Sequence, residues 1–509
     1  MLGGALAFGA VGQNALAAEL DGVLRLPLAR PAGNLDPQRY VGVFAVQDMI
    51  FEPLVEYKRG GKLVPGLAES WTVSEDGKKI TFKLRPNVTF TDGTSWDADA
   101  AIWNLERWAP KSNYNWLRIS ANWDKVEKID PMTIAIHLKE PTPTAFVELS
   151  YVRPVRFLSP KAVGPDGAYK DPVGTGPWMI KSDKPEGTTL VPNPNYWVEK
   201  PTLKQLELVV IPDARSRMSA LRGGDIDATG GSLIANVSPP DAKTLASAGV
   251  KVVTDTGTDT MILGFNPKRP MFQDARVREA FNLLIDRKGI ANALLLGYAT
   301  PTMNLYPEVI AYSGKRYDVP DRNLERAKKL LDEAGWKGDS GTRMKDGKPL
   351  KVELVISEDA VAGSRALGEV LQNMFSEAGI DLSLRNVDHA VRHGDIPQFN
   401  YDISLFVTNG APYDPFNTLV QGFLSTLPPG TDGKIFLDEK FDPLVLAAVG
   451  AAEKDRPEKF QAAYDWLHDN WAMAPIYHTK RVWAHGDRVK AFTIPATEYE
   501  MPLEGLQLK

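Results

Sequence analysis

Cysteine is absent from the 509 residues. That removes disulfide scaffolds, thiolate zinc sites and a lipoprotein anchor, and leaves six histidines as the soft metal ligands. A basic excess is also lacking. The formal net charge of -5 gives no footprint for nucleic acid. No apolar run reaches the ~20 residues a membrane span requires. The signatures of phosphate loops, zinc proteases and serine hydrolases do not occur, so no enzyme is indicated by motif. The glycine-rich stretch Gly223–Gly231 carries acidic residues that would repel a phosphate, and it reads as a turn.

What is present points to a large mixed protein. At this length, with 43% hydrophobic and 24% charged residues, more than one core is expected. Leu2–Ala18 is apolar and small-residue rich, and Ala15-Leu16-Ala17 fits an A-x-A cleavage site, so residues 1–18 are expected to be a signal peptide. No Lys or Arg precedes the apolar stretch, which places the expected start of that peptide upstream of Met1. An exported, soluble periplasmic protein follows.

Strand patterns recur at Val23–Leu28, Ile80–Leu84, Met132–Leu138, Leu206–Ile211, Val250–Thr254, Met261–Phe265, Leu350–Ile356 and Asp402–Val407. Amphipathic helices are predicted at Ala98–Trp108, Arg215–Arg222, Ala275–Leu284, Asn323–Glu333, Ser364–Glu377 and Pro457–Trp471. The mixture is α/β with several sheets. Asp97 and Asp99 open the first of these helices and read as N-terminal electrostatics. Gly335 reads as a helix C-cap.

Candidate binding chemistry is sparse. His389 and His393 are four apart and could share a helix face, but no third ligand is in register. His478 and His485 flank aromatic residues near the C-terminus. The 12 tryptophans are more informative, because several stand in polar, loop-like contexts such as Asn113–Arg118 (NYNWLR) and Asn193–Trp197 (NPNYW). A site uses such rings to grip a flat ligand. Val407–Pro415 (VTNGAPYDP) has the composition of a turn, yet sets a tyrosine between prolines directly after a strand.

Several blocks together carry a family resemblance. They are Glu52–Tyr57 (EPLVEY), Gly66–Trp71 (GLAESW), Ser74–Gly77, Phe82–Gly93 (FKLRPNVTFTDG), Gly174–Trp178 (GTGPW), Asn193–Trp197, Gly224–Asp227, Phe272–Asn282 (FQDARVREAFN) and Ile285–Arg287. In this order the chain resembles the large periplasmic solute-binding proteins of ABC importers, the class with oligopeptide, dipeptide and nickel-binding members. Ser74–Lys78 and Phe90–Gly93 are turns on this reading, and Gly174–Pro177 brings backbone close at an interdomain crossing.

The resemblance implies an α/β two-lobed fold with a hinge, closing over a ligand. The first-lobe core is expected at 19–45, 172–257 and 482–509, an extra subdomain at 46–171 and the second lobe at 258–481. Crossings are expected near Thr254–Phe265 and Ile476–Trp483. Partners are ABC permease transmembrane subunits with a cytoplasmic ATPase, and the protein is expected to be a monomer without covalent cofactor.

The resemblance also discriminates ligands. Peptide-binding members carry an Asp three positions before the acidic residue of Asp414-Pro415, to pair with a peptide's amino terminus; here that position is Ala411. A buried ammonium without that partner costs on the order of several kcal/mol. Gly410–Pro415 (GAPYDP) and Tyr151–Pro160 (YVRPVRFLSP) instead look like the nickel-binding branch. Carried over by position, Arg153 grips a chelator's carboxylate, and Trp116, Tyr413 and Tyr40 are aromatic pocket residues. Asn409 stands where that branch has a tryptophan, Asn113 where it has a second arginine, and Phe44 or its neighbour Val43 where a methionine lies near the metal. The branch's metal-ligating histidine is replaced by Leu427. The metal's ligands then come from a small chelator with nitrogen and carboxylate donors, which suits divalent nickel, with His478 or His485 as replacement protein ligands. Short peptides and opine-type metallophores remain alternative ligands.

Overall fold

The computed structural model describes residues 21–338, 340–359, 361–426 and 435–509. The expected signal peptide and Leu427 lie outside these residues. Among them, no helix is long and apolar enough to cross a membrane.

Three larger sheets organise the chain. The first is four-stranded, in the order Val23–Leu28, Gln205–Val210, Gly187–Pro192, Trp178–Lys184, and its first pair is parallel with Val23 opposite Gln205. The second is antiparallel, in the order Ala68–Val73, Lys79–Leu84, Thr133–Leu138, Trp123–Asp130. In Lys79–Leu84 the alternation places Ile80, Phe82 and Leu84 in the core. The helix Ala98–Trp108 packs on this sheet, with Asp97 accepting the Ala100 N–H at 3.0 Å as its N-cap.

The third sheet has seven strands. Its order is Ala228–Gly230, Met473–His485, Lys251–Phe265, Ile403–Val407, Lys351–Ile356, Asp381–Asn386, with Ala299–Pro301 also on Met473–His485. The two long strands pair antiparallel from Lys251 opposite His485 to Gly264 opposite Met473. They pass through both stretches where crossings are expected. Their one end is sewn to Ala228–Gly230 and their other to Ile403–Val407.

One core gathers around the first sheet, with Leu24, Leu26, Val46, Ile50 and Trp178. Another lies against the far half of the third sheet, with Leu263, Phe281, Leu354 and Phe375. The largest joins Phe82, Trp108, Tyr151 and Phe157 to Phe406, Tyr413, Phe416 and Phe460, so residues from before and after the first long strand share one interior.

Two expectations are corrected. The patterns at Val250–Thr254 and Met261–Phe265 belong to one strand, Lys251–Phe265, because pairing with Met473–His485 resumes at Thr260 after a register shift from Thr256. Gly174–Pro177 does bring backbone close, but at the end of the helix Phe44–Ile50 and not at a crossing strand. Gly176 N–H donates to the Ile50 carbonyl at 2.9 Å, and a Cβ on Gly174 would sit 1.9 Å from the Ile50 carbonyl oxygen.

Candidate functional site

The site starts from a tight entry into the helix Phe44–Ile50. Gly42 has φ of +72°, and a Cβ there would sit 2.2 Å from the Asn34 carbonyl oxygen, so only glycine fits. Val43 N–H then donates to the Ala32 carbonyl at 2.9 Å. The helix turns Phe44 and Gln47, three apart, to one side. Asp48, the next residue, reaches a different arginine.

Those arginines come from the irregular segment after Ser150. Arg153 donates through Nε to Gln47 Oε1 at 2.6 Å and through Nη2 to the Gly42 carbonyl at 3.1 Å. Its guanidinium lies 3.5 Å from the Phe44 ring centroid. Arg156, three residues on, donates to the carbonyls of Tyr151 and Phe51 and pairs with Asp48 at 2.8 Å. Among the described residues Arg153 has no carboxylate partner, and its exposure is only 2%. Burial brings its pKa down to about 10, although the Tyr413 and Tyr40 hydroxyls oppose this.

Aromatic rings surround this guanidinium. Tyr413 stands 4.3 Å from Tyr151, 6.4 Å from Trp116 and 5.3 Å from Tyr499, centroid to centroid. Trp116 is parallel to Tyr151 at 6.3 Å and has Tyr40 at 6.1 Å. Phe44 meets Tyr499 edge-on at 5.1 Å. The structure therefore brings together Tyr40, Phe44, Trp116, Arg153 and Tyr413. Tyr40 is the open edge, 49% exposed, whereas Tyr413 is buried and its hydroxyl pKa is raised by that burial.

The loop Val407–Pro415 is held by its own acid. The buried Asp414 carboxylate accepts the Gly410 N–H at 2.8 Å, the Thr418 N–H at 2.9 Å and the Thr418 hydroxyl at 3.0 Å. Burial still pushes its pKa up to about 7. Asn409 is exposed and donates its backbone N–H to Thr418 Oγ1 at 2.9 Å. Ala411 is buried there and offers no charge.

The two histidines are occupied elsewhere. His478 sits between the hydroxyls of Thr260, 2.8 Å from Nδ1, and Thr302, 2.9 Å from Nε2. Burial lowers its pKa to about 3, so the ring is neutral. His485 Nδ1 faces the Gly486 carbonyl at 3.0 Å, and the ring packs beside Phe492. Neither joins the aromatic cluster, and no group of three or more His, Asp or Glu among the described residues is arranged to hold a metal.

Sequence reasoning missed Tyr151, Tyr499, Gln47 and Gly42. Tyr151 had a signal, since it opens the stretch YVRPVRFLSP that carries Arg153. Gln47 had one too, three residues after Phe44 on a helix. Tyr499 comes from the C-terminal segment, and no local pattern announces it.

The description of bacterial extracellular solute-binding proteins, family 5 Middle, matches residues 62–427. The chain is 31% identical over 463 residues to the nickel-binding periplasmic protein of Escherichia coli (strain K12), covering 87% of this chain and 86% of that one. A crystal structure of an ABC transporter substrate-binding protein from Sinorhizobium meliloti is 46% identical with a TM-score of 0.84, covering 96% of this chain and 100% of that chain. The structure of NikA from Brucella suis in complex with Fe(III)-EDTA is 28% identical with a TM-score of 0.89, at the same coverage. The chain belongs to family 5 of the bacterial extracellular solute-binding proteins, the substrate-binding components of ABC importers.

Proposed function

We propose that this protein captures a chelated transition metal in the periplasm, nickel with a small carboxylate- and amine-bearing chelator, and delivers it as a monomer to a membrane permease driven by a cytoplasmic ATPase. The lobes on this reading are residues 19–45, 172–257 and 482–509 with the subdomain 46–171, and residues 258–481. One observation carries the ligand class: a buried arginine, Arg153, ringed by aromatics and held only by neutral groups. A guanidinium in that setting suits a carboxylate, which it can bind through two parallel hydrogen bonds. With no protein metal ligand in the cluster, the metal's shell belongs to the chelator. The named cargo of the Escherichia coli relative and the Fe(III)-EDTA in the Brucella suis structure support a chelate.

Peptides and opine-type metallophores also carry carboxylates. Ala411 disfavours peptides, because a buried ammonium beside it would lack a counter-ion. Calorimetry decides between them. Ni(II)–L-histidine is expected to bind while free Ni(II) gives no heat. Arg153→Met should weaken the chelate roughly 10- to 150-fold, the loss of about 1.5–3 kcal/mol from hydrogen bonds to a charged group. Tight dipeptide binding without heat from any chelate would replace this reading, and native mass spectrometry of co-purified ligand would name the cargo.

A further inference from the structure

Arg153 and Arg156 leave the same short segment, yet one is neutralised and the other is not. The difference lies in their helix partners. Arg156 takes the carboxylate of Asp48, and Arg153 takes the amide of Gln47, the residue just before it.

Gln47 is fully buried, and its amide has a forced orientation. Nε2 donates to the carbonyls of Asp36 at 3.0 Å and Val41 at 3.3 Å, so Oε1 is the end turned to Arg153. The opposite end of the guanidinium is fixed by the Gly42 carbonyl, which also accepts from Arg30 at 2.9 Å. Nη1 of Arg153 donates to no described residue. The charged and titratable groups facing Arg153 are the hydroxyls of Tyr413, Tyr40 and Tyr499 and the guanidinium of Arg30. The acids nearest Gln47, Asp36 and Asp48, are engaged by Arg107 at 2.6 Å and Arg156 at 2.8 Å.

We propose that Gln47 is a positioning residue that sets the charge class of the cargo: it locks Arg153 with a neutral acceptor, which leaves the full positive charge for an anionic group on the ligand. This rests on the proposed function in that the cargo meets Arg153. An acid in place of Gln47 would supply an internal counter-ion, as Asp48 does for Arg156, and the site would cease to select anions.

Three variants test it, with Fe(III)–EDTA and Ni(II)–L-histidine as probes. Gln47→Glu should weaken Fe(III)–EDTA at least 100-fold at pH 7.5. Binding should recover as pH is lowered, because protonation of the introduced carboxylate restores a neutral acceptor; wild type should show no such recovery. Gln47→Met should lose roughly 10-fold with no pH dependence. A Gln47→Glu protein that binds like wild type, or like Gln47→Met at every pH, overturns the proposal. A ligand-free readout keeps the two ideas separable. The Arg153 Nε–H resonance, assigned by its disappearance in Arg153→Met, should exchange slowly with solvent in wild type and fast in Gln47→Met. Equal exchange in both overturns the positioning role even if chelates bind. If wild type binds neither chelate, the proposed function fails while the exchange measurement still decides the role of Gln47.

Discussion

Single side chains here take their meaning from what they are paired with. His478 illustrates this for the candidate metal ligands. As a ligand it would need a free ring nitrogen, but both nitrogens are held by threonine hydroxyls, with Thr260 and Thr302 on either side. The cost of that burial is paid in acid. The unfolded ring has a pKa near ~6.5, and in the folded protein burial lowers it to about 3. Because the folded-state pKa is depressed, the unfolded chain takes up the proton first as pH falls. Stability is fully present above ~6.5 and is lost between ~6.5 and 3. By pH 4 the loss amounts to about 3 kcal/mol, at ~1.4 kcal/mol per decade. Urea denaturation of wild type and His478→Gln at pH 7.5 and pH 4 should therefore show the gap between them closing by roughly that amount in acid. A gap that does not change with pH would mean that the histidine titrates freely.

At the scale of elements, much of the chain was legible. The helices Ala98–Trp108 and Ala275–Leu284 fall where apolar periodicity predicts, and the structure adds Asp97 and Asp274 as their N-caps. Gly335, at φ of +91°, follows Leu324–Glu333 as the glycine stop predicts. Met473–His485 was not legible as one long strand. It is buried along most of its length, so it shows no in–out alternation, and Pro475 interrupts it. Its partner read as two strands because the residues at the register shift are Thr, Gly and Asp, the composition of a turn. The aromatic cluster was legible only in the parts that carry a local motif, because its rings come from five separate stretches of chain, around Tyr40, Trp116, Tyr151, Tyr413 and Tyr499, and long-range packing leaves no mark in local sequence. The loop Val407–Pro415 is the element whose turn chemistry was readable from its letters. Asp414 fixes it by accepting from two backbone N–H groups and one hydroxyl. Asp414→Ala would leave both buried N–H groups without partners, at about 1–3 kcal/mol each. The expected result is a fall of roughly 2–6 kcal/mol in stability by denaturant titration, with weaker chelate binding as Tyr413 loses its support. Stability and affinity both at wild-type levels would show that the turn holds without its acid.

Across the whole molecule, binding and closure are one equilibrium. A ligand can signal occupancy to a permease only by favouring the closed arrangement of the two lobes over the open one. Contacts made only on closure then contribute to affinity without touching the ligand. Arg456, at the start of the helix Arg456–Asp469, donates to the Pro143 carbonyl at 2.7 Å, joining chain from beyond the first long strand to chain from before it. The same guanidinium lies 5.1 Å from the Phe416 ring centroid, close to the loop that carries Tyr413. Arg456→Ala should raise the chelate Kd about 5- to 15-fold, equivalent to about 1–1.5 kcal/mol for a lost hydrogen bond. The change should appear in the dissociation rate more than the association rate. Small-angle scattering should show a larger radius of gyration for the variant than for wild type at sub-saturating chelate, and the same radius once chelate saturates both. A lowered melting temperature of the ligand-free protein with unchanged Kd and unchanged scattering would assign Arg456 to packing within its own lobe, and the closure role would be lost.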